Sequence, residues 1–127
     1  MAEAVLDSSA LLAVILAETG ADRVSSALPE AVISAINYGE VATKLLEMGV
    51  PETQMRDLLW RSECEVLDAT AGQAIQAALL RTSTRHRGLS LGDRFCLALA
   101  QDLGLPVLTA DRAWAELDVG VEITLIR

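Results

Sequence analysis

The chain has 127 residues, of which 52% are hydrophobic, and its formal net charge is −8. This length and composition exclude a disordered chain and allow one sizeable core, so we expect a single domain over residues 1–127. The negative charge argues against passive binding of nucleic acid, because phosphates are repelled unless bound cations neutralise part of that charge.

The residue composition also indicates the cellular compartment. The two cysteines, Cys64 and Cys96, are too few for a disulfide scaffold, and their spacing fits no zinc motif. Glu18 ends the first long apolar run well short of a membrane span, and no basic segment precedes that run. We therefore expect a protein of the reducing cytoplasm, without a signal peptide or a membrane anchor.

Short apolar runs alternate with longer amphipathic runs along the whole chain. The first apolar run, 4–6, predicts a buried strand. A helix over 10–16 is predicted to follow it, capped by Ser8 or Ser9 and stopped by Gly20. Asp7 therefore lies at the carboxyl end of the first strand, where open α/β sheets bind their ligands.

The rest of the chain repeats this alternation. Ser34, Thr70 and Ser90 are predicted to cap helices over 35–48, 71–83 and 91–103. Further strands are predicted at 31–33, 64–67, 106–109 and 121–126, the third strand along the chain being a candidate for the sheet edge. Further helices are predicted at 21–28, 52–61 and 111–117. The order predicts an α/β fold with three α/β/α layers and a central parallel sheet of four to five strands.

Four acidic residues occupy similar positions in this predicted fold. Asp7 and Asp111 each end an apolar strand, whereas Glu40 and Asp93 lie in the first turns of helices. Because strand carboxyl ends and helix amino ends meet at one edge of a parallel sheet, the four side chains could share a pocket. A ligand set made only of oxygen suits Mg²⁺ or Mn²⁺ rather than zinc.

Each of these acids also has a simpler interpretation. Asp7 and Asp111 could cap the helices that follow them, and Asp93 could be only a favourable charge at a helix amino end. Glu40 could be a solvated residue on a helix surface. The shared edge of the sheet, and not the residue type, favours the metal site.

Four short motifs, in this order, resemble a known family: Asp7-Ser8-Ser9, Asn37 with Glu40, Leu91-Gly92-Asp93-Arg94, and Thr109-Ala110-Asp111. They resemble the PIN-domain ribonucleases, and most of all the VapC-type toxins of bacterial toxin–antitoxin pairs. The resemblance implies that the catalytic, metal-binding carboxylates are Asp7, Glu40, Asp93 and Asp111. It also implies supporting roles for Ser9, Asn37 and Thr109. We do not expect Glu116, more than one turn beyond Asp111, to coordinate the metal.

The same resemblance implies an Mg²⁺- or Mn²⁺-dependent endoribonuclease that cleaves structured RNA such as tRNA. It further implies a homodimer and a small cognate antitoxin that occludes the site. A set of arginines could border an RNA path, dock an acidic antitoxin segment, or be merely solvated: Arg81, Arg85, Arg87 and Arg94. The alternative is a catalytically silent PIN-like module that only binds protein or RNA.

Overall fold

The computed structural model describes residues 1–127, which form five short strands and six helices. The strands are β1 (Ala4–Leu6), β2 (Ala31–Ser34), β3 (Glu65–Leu67), β4 (Val107–Thr109) and β5 (Ile123–Leu125). The helices are α1 (Ser8–Ile15), α2 (Ala21–Ala27), α3 (Ala35–Glu47), α4 (Glu52–Ser62), α5 (Ala71–Thr84) and α6 (Leu91–Leu103). Three 3₁₀ turns complete the chain, at Leu28–Glu30, Arg85–Arg87 and Arg112–Glu116.

The five strands form one parallel sheet in the order β3-β2-β1-β4-β5. The first strand of the chain is the central one, where Val5 lies opposite Val32 of β2 and Val107 of β4. The predicted parallel sheet is confirmed, and so is the edge position of the third strand. The carboxyl ends of β1 and β4 are consequently neighbours, which brings Asp7 and Asp111 to the same edge.

Helices cover both faces of the sheet, as the alternation predicted. Leu6 of β1 packs in a core cluster with buried residues of α1, α2, α3 and α4. Its neighbour Val5 points to the opposite face and packs in a second cluster with α5, α6 and Trp114. Both side chains are fully buried, as expected of a central strand in a doubly covered parallel sheet.

The caps of the longer helices are confirmed where the sequence has a serine or threonine before a helix. Ser34 accepts from the backbone N–H of Ile36, and Thr70 and Ser90 each form a reciprocal capping box. Gly104 ends α6 in the left-handed conformation, at a φ of 66° that a glycine adopts without strain. None of the helices is both long and apolar enough to cross a bilayer.

Two local predictions were wrong. The cap of α1 is the backbone of Asp7, and Ser8 and Ser9 lie inside the helix, because the Ser9 hydroxyl is used elsewhere. The predicted helix over 111–117 is a 3₁₀ turn, Arg112–Glu116. The helix predicted over 71–83 ends one residue later, at Thr84, whose buried hydroxyl donates to the Leu80 carbonyl.

Candidate metal centre

The carboxylate of Asp7 is held by two hydroxyl groups. Its Oδ2 accepts from Ser9 Oγ at 2.7 Å and from Thr109 Oγ1 at 2.9 Å. Each hydroxyl oxygen also accepts a backbone N–H, that of Ala110 for Ser9 and that of Asp111 for Thr109. Since a hydroxyl has a single proton, this arrangement directs both protons to Asp7. The loop after β4 is thereby joined to the end of β1.

The second oxygen of Asp7 has no partner. Asp7 is only 3% exposed, and its Oδ1 is a buried atom without a hydrogen bond. Burial raises the pKa of Asp7 to about 6, although the two hydroxyl bonds oppose the shift. The charge of Asp93 raises the Asp7 pKa further, by a smaller amount. A buried carboxylate oxygen that accepts no hydrogen bond from the protein is a group that a cation would stabilise.

Glu40 is fixed by Asn37, one turn earlier on α3. Asn37 Nδ2 donates to Glu40 Oε1 at 2.8 Å and to the Gly92 carbonyl at 2.9 Å. Asn37 is completely buried, so this amide links α3 to the first turn of α6. The predicted supporting position of Asn37 beside Glu40 is therefore present in the structure.

Asp93 completes the capping box at the start of α6. Its Oδ2 accepts the Ser90 N–H at 2.9 Å, and its own N–H donates to Ser90 Oγ at 3.1 Å. The Cys96 thiol lies one turn further along the helix, and burial raises its pKa well above the ordinary value. The charges of three carboxylates add to this effect on the thiol: Asp7, Asp93 and Glu40. These three carboxylates therefore lie near enough to the thiol for their charges to act on it.

Asp111 is exposed at the start of the turn that follows β4. Its Oδ1 accepts the Ala113 N–H at 3.0 Å, which is the capping role proposed as its simpler interpretation. One pattern unites the four acids: the protein holds one oxygen of each carboxylate and leaves the other without a hydrogen bond. The capping and ligand interpretations of Asp93 and Asp111 are thus compatible.

The structure contains no group of three or more histidine, cysteine, aspartate or glutamate side chains that could hold a metal ion by themselves. The four carboxylates therefore do not form a closed cage. Mg²⁺ usually keeps several waters and is bound by one or two carboxylates together with substrate phosphates. The donors, all oxygen, and the unpartnered Oδ1 of Asp7 fit such a hydrated ion.

The arginines of the basic stretch have different surroundings. Arg94 is partly buried and donates to the Ala77 carbonyl at 2.8 Å, so it connects α6 to α5. Arg87 forms an ion pair with Glu116 at 2.9 Å. Arg81 and Arg85 are exposed and make no hydrogen bond or ion pair within the chain. These two arginines are therefore available to a partner, whereas Arg87 and Arg94 already have partners within the chain.

Sequence reasoning assigned no role to Gly92, although it lies within one of the motifs. In the structure its carbonyl accepts from Asn37, and its α-carbon faces the Glu40 carboxylate. Spacing along the chain carries no information about this contact, because the two residues belong to different helices. A glycine in the first turn of a predicted helix was the only available signal.

Comparison with known proteins identifies the family of this chain. The family model for the PIN domain matches residues 4–120, which is most of the chain. The chain belongs to the PIN domain family. It is 34% identical over 125 residues to Ribonuclease VapC of Mycolicibacterium smegmatis, a match that covers 91% of this chain and 96% of the relative. The resemblance drawn from the ordered motifs is confirmed.

Solved structures share the same fold. The DNA-bound VapBC of Salmonella typhimurium has a TM-score of 0.80 at 23% identity, with full coverage of both chains. VapC20 of Mycobacterium tuberculosis, a sarcin–ricin loop cleaving toxin, has a TM-score of 0.74 at 19% identity and covers 94% of this chain and 98% of its own. At such identities these two likenesses establish the three-layer fold.

Proposed function

We propose that this chain is an Mg²⁺- or Mn²⁺-dependent endoribonuclease and the toxin of a VapBC-type toxin–antitoxin pair that acts in the cytoplasm. The observation that carries the metal-dependent part is the buried Asp7 Oδ1, which has no hydrogen-bond partner, on a carboxylate whose pKa the nearby charge of Asp93 also raises. The curated relative, a VapC ribonuclease, supports the activity.

Asp7 would hold the ion through Oδ1, and the free oxygens of Glu40, Asp93 and Asp111 would receive its waters or a second ion. A bound divalent ion supplies Lewis acidity to a phosphate and lowers the pKa of a coordinated water. Ser9 and Thr109 keep Asp7 in one rotamer by holding Oδ2, so the carboxylate does not have to reorganise when it binds.

The proposed substrate is structured RNA such as tRNA. A chain with a net charge of −8 needs local positive charge to approach phosphates. Arg81 and Arg85, exposed and unpaired near the end of α5, can supply it, whereas Arg87 and Arg94 already have partners.

The proposed partners are a small VapB-type antitoxin and a second copy of the chain. Structural neighbours from Salmonella typhimurium and Klebsiella pneumoniae are toxin–antitoxin complexes, which supports the first partner. The chain also has apolar surface for protein contacts. Trp60 of α4 is 81% exposed beside a groove that Tyr38 of α3 also lines. On α5, Ile75 and Leu79 are exposed one turn apart, which suits a helix-to-helix contact.

Cleavage of RNA by the purified chain, with Mn²⁺ and with EDTA, tests this function. Asp7→Asn should keep the fold and lose on the order of 10²–10³ in rate, as expected for a group that positions transition-state charge. Asp22→Asn, at an exposed acid on α2, is the matched control and should cleave like wild type. Equal cleavage by wild type and Asp7→Asn would refute the assigned site. Absence of cleavage by wild type with any divalent ion would favour the silent binding module.

A further inference from the structure

Gly92 lies against the carboxylate of Glu40. It is buried in the first turn of α6, and a Cβ placed on it would overlap the Glu40 carboxyl carbon and both carboxyl oxygens. No other glycine of the chain faces the side chain of an acidic residue in this way. Any side chain at position 92 would therefore compete with Glu40 for the same space.

Asn37 keeps Glu40 in this place. One amide nitrogen donates both of its protons, to Glu40 Oε1 and to the Gly92 carbonyl. The Glu40 carboxylate is thereby held at the amino end of a 13-residue helix, where the helix dipole favours an anion. Asp93 is the next residue of that helix, so the contact also places Glu40 beside a second proposed ligand.

A displaced Glu40 would have another partner. Lys44 lies four residues later on α3, the spacing at which a glutamate and a lysine pair on a helix surface. In the structure Lys44 is exposed and forms no ion pair, and the Glu40 carboxylate lies against Gly92 of α6. Lys44 therefore favours the outward position that a side chain at 92 would force on Glu40.

We propose that Gly92 is a positioning residue for Glu40: the missing side chain lets the Glu40 carboxylate lie inside the metal centre instead of along the surface of α3. This inference rests on the proposed function, since it assumes that Glu40 contributes to ion binding. Because Gly92 would act through Glu40, its effect can be isolated by making the same substitution in the wild-type chain and in a Glu40→Ala chain.

The test compares Gly92→Ala in the wild-type chain and in the Glu40→Ala chain, with Mn²⁺ affinity measured by electron paramagnetic resonance. In the wild-type background Gly92→Ala should weaken Mn²⁺ binding about 10-fold or more, the usual cost of losing a group that orients a ligand. In the Glu40→Ala background the same change should alter the affinity less than about two-fold, because no carboxylate remains to be displaced. The melting temperature should rise in that background, since alanine favours a helix over glycine.

Equal losses of affinity in the two backgrounds would overturn the proposal, because Gly92 would then act through α6 or Asp93 and not through Glu40. An unchanged affinity in the wild-type background would overturn it too, as would unfolding of Gly92→Ala in both. RNA cleavage by wild type is measured in parallel. If the effects of the two substitutions on Mn²⁺ affinity are non-additive but wild type does not cleave RNA, the proposed function is refuted and this inference is supported. If wild type cleaves RNA but the two effects are additive, the proposed function is supported and this inference is refuted.

Discussion

Without metal, the stability of Asp7→Asn relative to wild type should be greater above pH 6 than it is in acid. Burial raises the pKa of Asp7 from 3.8 to about 6. This rise in the pKa of Asp7 corresponds to roughly 3 kcal/mol of free energy. Asp7 therefore binds more protons in the folded chain than in the unfolded chain between pH 4 and 6, so its contribution to the free energy of unfolding falls as the pH rises through this window.

Asparagine has the same shape but does not carry the charge. Its amide oxygen can accept from Ser9 and Thr109 as Asp7 Oδ2 does. Its amide nitrogen takes the place of Oδ1 and leaves a buried donor unpaired, which costs about 1–3 kcal/mol at every pH. The difference in unfolding free energy between Asp7→Asn and wild type should therefore shift by roughly 3 kcal/mol in favour of the variant between pH 3.5 and 8.

Thermal unfolding in EDTA across pH 3.5–8 measures this difference. For a chain of this length roughly 3 kcal/mol corresponds to a shift of about 10 °C in melting temperature. Titration of the other carboxylates is common to both proteins and cancels in the comparison. Asp22→Asn, an exposed acid, is the control and should keep the pH dependence of wild type.

Manganese should reverse the order of stability at pH 7.5. Wild type should gain about 2.7 kcal/mol at a hundredfold excess of Mn²⁺ over its dissociation constant, and Asp7→Asn much less, because an amide is a poor ligand for a hard cation. An offset in stability between the two proteins that is the same at pH 3.5 and pH 8 would refute the reasoning.

Three further perturbations follow from the same structure. Thr109→Val removes a donor to Asp7 and leaves the Asp111 N–H without its acceptor, so urea unfolding should show a loss of about 1–3 kcal/mol. Arg81→Gln with Arg85→Gln should weaken RNA binding and reduce the slope of log affinity against log salt by about 1–2, as fluorescence anisotropy can measure; an unchanged slope would place the RNA elsewhere. Trp60→Ser should reduce co-purification of the antitoxin while metal-dependent cleavage stays at the wild-type rate, because Trp60 lies in a groove that contains none of the four acids.

Much of the fold could be predicted from the sequence because its signals are local. Ser34, Thr70 and Ser90 each cap a helix through a hydrogen bond to a backbone group two or three residues away. The apolar runs of the strands alternate with helices over the whole chain, and that alternation permits few topologies other than a parallel sheet. The positions of Asp7 and Asp111 just after strands, and of Asp93 in the first turn of α6, followed from the same local signals. The prediction that Glu40 lies in the first turn of its helix was wrong, because α3 begins at Ala35 and Glu40 lies in its second turn.

The surroundings of the Asp7 and Glu40 carboxylates were decided only by the tertiary structure. Asp7 Oδ2 accepts a hydrogen bond from Thr109, 102 residues away, and Oδ1 is the unpartnered atom. Asn37 reaches Gly92 across 55 residues, and the same amide nitrogen holds the Glu40 carboxylate. Arg94 donates to a carbonyl of the neighbouring helix, which its position in a basic stretch did not indicate. These contacts depend on the packing of one element against another, and spacing within a single element does not encode it.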